Sequence, residues 1–395
     1  MSHVPPLARL PHADPAPIAP APAAPAAPVT LTVPTVPRAG RSAPVWLFAI
    51  LIVLLIGVVA YILTFLGVAA SIVGMVLALI PFVGVLLAVR IADRWEPEPS
   101  SLVVLAVMWG AVAAVAIALG VDILIGIAVP AAPDDAARDA FSSVVQAPIV
   151  EEFAKGLGVF LIFALARRAF DGPVDGVVYG ALVGAGFAFT ENILYFATSL
   201  IDGGIDETAF TFVLRGILSP FAHVMFTAVT GYALGRAARD GRPTSQAVGL
   251  WLLGMLGAAA LHALWNGSAQ FADFFHLYVT LQVPLFIAFV LGFIALRREE
   301  ARLTRARLGE YAAAGWFTRD EVDLVATSAG RRQAVAWAKT LPGDRSAIMR
   351  QFIAEMTSLA AARQRASTGR DAHAVDDERL FLVRATTTRE TLLRA

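Results

Sequence analysis

The sequence predicts an all-α polytopic membrane protein with about eight transmembrane helices and a small helical cytoplasmic C-terminal region. Three observations predict it. Hydrophobic residues make up 57% of the 395 and charged residues only 16%, against about 45–50% and about 25% in soluble domains. The apolar residues gather into runs near the roughly 20 residues that cross a ~30 Å hydrocarbon core. Arginines gather in alternate connections between those runs.

Residues 1–44 contain 12 prolines among many alanines, a composition that cannot bury a core and predicts a disordered, polyproline-like tail. A charged segment leading straight into an apolar one is missing there, so a signal peptide is not expected. Eight apolar runs follow in the body, residues 45–296: 45–66, 68–89, 101–121, 149–167, 174–199, 214–235, 246–266 and 276–296. Only Gly67 and its neighbours divide the first two; Gly74 and Pro81 are tolerable inside a membrane helix.

Arg38 and Arg41, Arg90 and Arg94, Arg167 and Arg168, Arg236, Arg239 and Arg242, and Arg297 and Arg298 flank the body or fill every second loop, whereas the alternate loops hold only Arg138 and Arg215. By the positive-inside rule both termini and the Arg-rich loops are cytoplasmic. The loop Asp93-Arg94-Trp95-Glu96-Pro97-Glu98-Pro99 reads as a rigid cytoplasmic connection with an interfacial tryptophan. Residues 297–395 hold 18 Lys+Arg against 13 Asp+Glu, out of 31 of each in the chain, so a basic tail offsets an acidic body to zero net charge. Thr318-Arg319-Asp320-Glu321 matches a capping box opening a helix through Val322, Leu324 and Val325. Residues 345–366 read as a second helical stretch and 367–379 as a polar linker. The basic charge suits association with an anionic lipid surface.

No cysteine is present, which removes disulfides, a thiolate nucleophile and Cys-ligated metal. What stands out is charge inside the apolar runs. Glu151, Glu152 and Lys155 open the fourth; Glu191 and Asn192 lie in the fifth, His223 in the sixth, and His262 with Asn266 in the seventh. An ionisable group in a membrane span costs several kcal/mol unless it is paired or faces a polar cavity. With the orientation above, Glu151 and Glu152 begin an inward helix. Glu191 lies about 17 residues along an outward one, His223 about nine down the next, and His262 and Asn266 near the end of the seventh, at about 1.5 Å per residue. All fall in the outer half of the bilayer, which implies one water-accessible cavity.

Read singly, the groups have structural explanations. Glu151 and Lys155 are i,i+4 neighbours able to neutralise one another, with Glu152 on another face; Asn192 and Asn266 suit interhelical hydrogen bonds. Read together, they suit hydrolysis: Glu151 or Glu152 takes a proton from water, and His262 and Asn266 stabilise an oxyanion. No Ser–His pair and no H-E-x-x-H motif is evident. The preferred scheme needs no cofactor; zinc held by His223, His262, Glu191 and Glu152 is the alternative.

The series Glu151-Glu152-x-x-Lys155, Phe187-x-x-x-Glu191-Asn192, His223 and His262-x-x-x-Asn266, with the Asp93–Pro99 loop, resembles the PrsW family of intramembrane proteases, over roughly residues 45–296. The resemblance implies a helical membrane peptidase related to the type II CAAX prenyl endopeptidases. It also implies substrates among single-pass, membrane-anchored regulators such as anti-sigma factors, and no nucleic-acid partner. In the CAAX relatives the first motif ends in Arg one position later and the second is Phe-x-x-x-His; Lys155 and Glu191 stand here instead, leaving His223 to supply the imidazole. A proton-coupled transporter and a non-catalytic scaffold are the competing readings. No inverted repeat of the motifs supports the first, and no motif Glu or His is lost as the second would suggest.

The orientation is tested by reporter fusions: those after Arg168 and Arg242 are expected to read cytoplasmic and one near Asp206 external. The reverse pattern would place the polar groups at the opposite face.

Overall fold

A computed structural model describes residues 43–94, 96–128, 135–271, 273–369 and 371–394. The tail expected over residues 1–44 lies outside them except for Ala43 and Pro44, as does Trp95 of the Asp93–Pro99 loop. The chain divides between Arg297 and Arg298 into two compact units, and the described residues contain helices and no strands.

The first unit runs α1 (Val45–Ala92), α2 (Ser100–Met108), α3 (Val115–Ala128), α4 (Asp135–Phe141), α5 (Ala147–Leu165), α6 (Pro173–Phe212), α7 (Ala222–Arg239), α8 (Thr244–Phe271), α9 (Phe274–Leu277) and the start of α10 (Val283–Ala313). By length and composition, five continuous stretches among the described residues suffice to cross a membrane: Val45–Ala92, Ser100–Ala128, Pro173–Arg239, Thr244–Gln270 and Phe274–Ala313. That is fewer than the eight segments read from the sequence, for two physical reasons. Two of the stretches run through glycine kinks, and α5 carries three charged residues.

The kinks are reversals. A straight helix of 48 residues would reach about 72 Å, yet Ala43 N–H, just before α1, donates to Ser101 Oγ at 3.3 Å, just after it. The turn falls at Gly67, whose φ of 72° is open to glycine at no steric cost. Gly204, at φ 69°, does the same in α6 and brings Arg215 back onto Glu191 and Asn192. Outward-facing side chains on α1 include Val53, Ile56 and Phe65, each about two-thirds exposed, the pattern of a lipid-facing helix rather than of a soluble one.

Close backbone approach builds the interior. An added Cβ at Gly176 (α6) would meet the carbonyl oxygen of Gly231 (α7), and one at Gly231 would meet that of Gly176; small residues that let helices approach are the rule where lipid supplies no hydrophobic drive. Among the described residues, π-helical turns at Trp109–Ala114, Ser142–Gln146, Val213–Leu218 and Tyr278–Gln282 interrupt the ladders. Side chains from other helices take up carbonyls at three of them: Thr190 donates to Ala111 O (2.8 Å), Asn266 to Ser143 O (2.8 Å) and Tyr278 to Leu218 O (2.9 Å). Such exchange is required where no water reaches the backbone.

The second unit packs α11 (Arg319–Ala326), α12 (Ser328–Lys339), α13 (Ser346–Thr368) and α14 (Ala374–Leu393) with the end of α10 around Phe352, Met356, Leu359 and Leu392. The capping box is present: Glu321 N–H donates to Thr318 Oγ1 at 3.1 Å and Thr318 N–H to Glu321 Oε2 at 2.7 Å. The polar linker expected over 367–379 is shorter than read, because α13 continues to Thr368, ends at left-handed Gly369 and α14 starts at Ala374. Val375 and Phe381 had too little periodic support to show that start. Ion pairs of buried glutamates tie the helices together, Arg384–Glu355 at 2.9 Å between the consecutive α14 and α13 and Arg389–Glu321 at 2.5 Å between α14 and the distant α11.

Gly231→Ala is expected to lower the detergent-phase melting temperature, since its Cβ meets a backbone carbonyl. Gly249→Ala, whose Cβ meets nothing within 4 Å, is expected to leave it unchanged or raise it through helix propensity, worth about 0.5–1 kcal/mol. Equal effects would contradict the packing described.

Candidate functional site

α5 enters the site after a π-turn, with Pro148 in its first turn, and two tryptophans pin its backbone. Trp109 Nε1 donates to Ala154 O and Trp251 Nε1 to Gly156 O, both at 2.9 Å. Neither indole would fit so closely were Gly156 and Gly158 larger, since an added Cβ at each faces a tryptophan ring. The stretch so held carries Glu151, Glu152 and Lys155.

Glu152 and Lys155 have no solvent exposure at all. Lys155 Nζ lies 2.6 Å from Glu152 Oε1, 3.4 Å from Glu151 Oε2 and 3.1 Å from His223 Nδ1, and 4.1 Å above the Phe187 ring. The sequence paired Lys155 with Glu151 alone and put Glu152 on another face. In the structure the i,i+3 contact to Glu152 is the shorter, since both spacings share a helix face. Glu152 is saturated: Oε1 also meets His262 Nδ1 at 3.1 Å, and Oε2 accepts from Thr227 Oγ1 at 3.1 Å. Glu151 keeps 13% exposure and lines the cavity.

His223 was expected part-way down a continuous span. It sits instead in the first turn of α7, because the chain breaks at Ser219–Phe221 around Pro220. Its Nε2 lies 2.8 Å from Glu191 Oε2. Arg215 donates Nη2 to the same Glu191 oxygen and Nε to Asn192 Oδ1 at 2.9 Å, and stacks 3.8 Å over Tyr195. Asn266 commits one amide hydrogen to Ser143 O. The His223 and His262 rings meet edge to face at 5.0 Å, and Phe226 stacks on His262 at 4.9 Å.

The partners fix the tautomers. An ammonium only donates, so His223 accepts at Nδ1 and carries its proton at Nε2, toward Glu191. A carboxylate only accepts, so His262 carries its proton at Nδ1, toward Glu152. Nε2 of His262 has no hydrogen bond among the described residues; the oxyanion donation read from the sequence would need a proton at that nitrogen, and a metal would need its lone pair.

These groups open on a cavity of ≈ 390 Å³ lined by Glu151, Glu191, Asn192, His223, His262 and Asn266 among others. Glu152 and Lys155 sit behind its wall. Glu151, His223 and His262 offer ligand atoms within 4.8 Å of one another, the described residues' one grouping of this kind. Glu191 and Glu152, the other two zinc candidates, are instead committed to Arg215, His223, Lys155 and His262.

The sequence reading missed Arg215, taking it only as an exception to the topology rule, and missed Thr227. A lone arginine in an otherwise Arg-free loop was the available signal for the first. Nothing marked Thr227, whose partner is 75 positions away.

Residues 98–290 match the family model described as PrsW family intramembrane metalloprotease. Among curated proteins, the chain is 34% identical over 157 residues to Protease PrsW of Geobacillus kaustophilus, covering 40% of this chain and 63% of that protein. It is 40% identical over 92 residues to Protease PrsW of Oceanobacillus iheyensis, covering 23% and 39%, and 37% identical over 97 residues to that of Bacillus subtilis, covering 25% and 40%. The chain thus spans less than two thirds of each of these relatives. No solved structure matches it at a significant level.

Breaking a buried ion pair by removing one partner costs about 3–5 kcal/mol. Lys155→Met is therefore expected to destabilise the protein strongly in detergent. Adding Glu152→Leu to it should recover part of the loss, since the fully buried charge is then gone and only Glu151, which keeps 13% exposure, is left without the ammonium; failure to recover any of it would show that Lys155 matters for something other than neutralising Glu152.

Proposed function

We propose, from the match of residues 98–290 to the PrsW family model in a multi-pass membrane protein, that the chain is an intramembrane peptidase. Its substrates are single-pass, membrane-anchored regulators of the anti-sigma-factor kind, cut near the outer membrane face with both termini of the enzyme in the cytoplasm. One observation carries the reading. Four helices bring Glu151, Glu191, His223 and His262 to the wall of a single cavity, and ionisable groups gathered at one polar cavity within membrane spans are the mark of a functional site.

Glu151 is the base, because it alone of the paired glutamates lines the cavity while Glu152 is saturated by three donors. Glu151 takes a proton from water as the oxygen attacks the scissile carbonyl carbon, and returns it to the departing amine. The remaining amide hydrogen of Asn266 donates to the developing oxyanion. Glu152 positions His262 and neutralises Lys155, and Arg215 with Glu191 holds the His223 ring.

The Glu151, His223 and His262 grouping supports a second reading. The donor set, two imidazoles and one carboxylate, fits a divalent metal, and Glu152 behind His262 supplies the backing such ligands ordinarily have. A zinc ion there would polarise the carbonyl and lower the pKa of water. His223 would have to leave either Lys155, which meets its Nδ1, or Glu191, which meets its Nε2, to bind the ion.

On a panel of single-pass membrane substrates, Glu151→Gln is expected to fall to background and Asn266→Ala to lose about 10²–10³ in rate. A chelator should leave the wild type unchanged on the glutamate reading. Loss restored by zinc, with His223→Ala losing bound metal, would establish the second. Cleavage surviving Glu151→Gln with no metal bound would remove Glu151 as the base, whereas a wild type that cuts no substrate would remove the peptidase reading and return the transporter and scaffold.

A further inference from the structure

The last membrane span is held differently from the others. α5 and α7 bury residues from first turn to last, whereas α10 buries none between Val283 and Arg297; its buried residues, Thr304, Leu308 and Tyr311, all lie in the second unit. In the membrane it meets the bundle through one stripe of side chains, Phe286, Phe289, Phe293 and Leu296, three and four positions apart. Phe286 stacks on Phe221 at 5.3 Å, and Phe289 packs against the cluster of Ala222, Met225 and Phe226. The backbones stay apart. A Cβ on Gly292 would meet nothing within 4 Å, where one on Gly231 meets a carbonyl, so this seam lacks the close approach that binds helices in lipid.

The seam contains space instead. A second cavity, of ≈ 160 Å³, adjoins that of the site: Ser219, Pro220, Ala222 and Trp265 line both, and it continues between Met225 of α7 and Phe286 of α10. One helical turn further along the same two helices, a third cavity of ≈ 270 Å³ lies between Ala228, Val229 and Tyr232 on α7 and Phe289, Gly292 and Phe293 on α10. No charged side chain lines either, and polarity falls away from the site, from Ser219 and Tyr278 at the near end to the Tyr232 hydroxyl alone at the far end. An occupant is therefore apolar over most of its length and polar only where it meets the site. A transmembrane segment whose helix ends at the bond to be cut has that profile; an acyl chain lacks the polar end and a soluble peptide the apolar length.

We propose that the seam between α7 and α10 is the face on which the substrate's transmembrane segment docks as it enters from lipid, with its cleavable end in the site cavity. The proposal rests on the peptidase reading and adds the docking face to it. A helix with its side chains is about 10 Å across, more than cavities of these volumes admit, so α10 moves aside to receive it. Tyr278–Gln282 is a π-turn and Pro284 follows in the first turn of α10, the two features at which helices bend. Val283 to Leu296 are all apolar, so parting them from α7 costs packing and breaks no side-chain hydrogen bond.

The chain has no cysteine, so thiols introduced across the seam are the only ones present. In the full-length protein in membranes, Tyr232→Cys with Gly292→Cys, bridged by a reducible bifunctional thiol reagent, is expected to lose most of its cleavage of a processed single-pass substrate and to regain it on reduction, which shows that the locked enzyme was folded. Either single variant treated alike should keep its activity. In parallel, a photoreactive benzoylphenylalanine in place of Tyr232 in the Glu151→Gln enzyme should capture the transmembrane segment of the uncut substrate, and one in place of Leu291, 60% exposed on another face of α10, should not. Cleavage by the bridged enzyme at the unbridged rate, or capture no stronger from position 232 than from 291, overturns the seam and leaves the peptidase standing; so does capture of lipid or of a second copy alone. A wild type that cuts no substrate overturns the peptidase and the seam together.

Discussion

A carboxylate and an ammonium with no access to water, Glu152 and Lys155, set the terms for the whole membrane unit. Their 2.6 Å contact does not by itself offset removal of two charges from water; the desolvation of a buried pair is repaid only when the remaining lone pairs and protons are also bonded. Thr227, His262, His223 and the Phe187 ring do this from three further helices. α6, α7 and α8 must therefore meet α5 at one depth. The same requirement that closes the interior delivers His223 and His262 to the cavity wall, so the stability of the bundle and the arrangement of the site have one cause.

Glycines and π-turns make that meeting possible. Gly67 and Gly204 reverse two long helices, and the mutual approach of Gly176 and Gly231 lets α6 and α7 lie close enough for His223 to reach Glu191. Each π-turn re-aims the residues that follow it, a common device at functional sites. Ser143, Arg215 and Gln282 all lie on such turns, and all line the site cavity or the smaller one that adjoins it. Trp109 and Trp251, donating to α5 from other elements, add rigidity where the paired glutamates stand.

Much of the fold and the membership of the site were legible, because lipid imposes strict rules: apolar runs of set length, arginine on alternate loops, and rarity of buried charge. Those rules singled out Glu151, Glu152, Lys155, Glu191, His223 and His262 without any structure, and Gly67 as a division. What they could not show was which neighbour each polar group chooses. Whether Lys155 pairs with Glu151 or Glu152 depends on rotamers and on Thr227 and His262, far away in sequence. The break that puts His223 in a first turn depends on Pro220 acting within an apolar run, where proline is otherwise tolerated. In the C-terminal unit, a capping box was readable because it is local, whereas the start of α14 was not, since its apolar face is defined by α13.

The central claim is that the two glutamates differ, Glu151 open to the cavity and Glu152 closed behind it. Carbodiimide labelling with a water-soluble nucleophile on the protein in native membranes, mapped by mass spectrometry, tests it most directly. Modification at Glu151, with loss of peptidase activity in proportion and Glu152 untouched until the protein unfolds, is the predicted result. Labelling of Glu152 before Glu151, or full activity with Glu151 stoichiometrically modified, would contradict it.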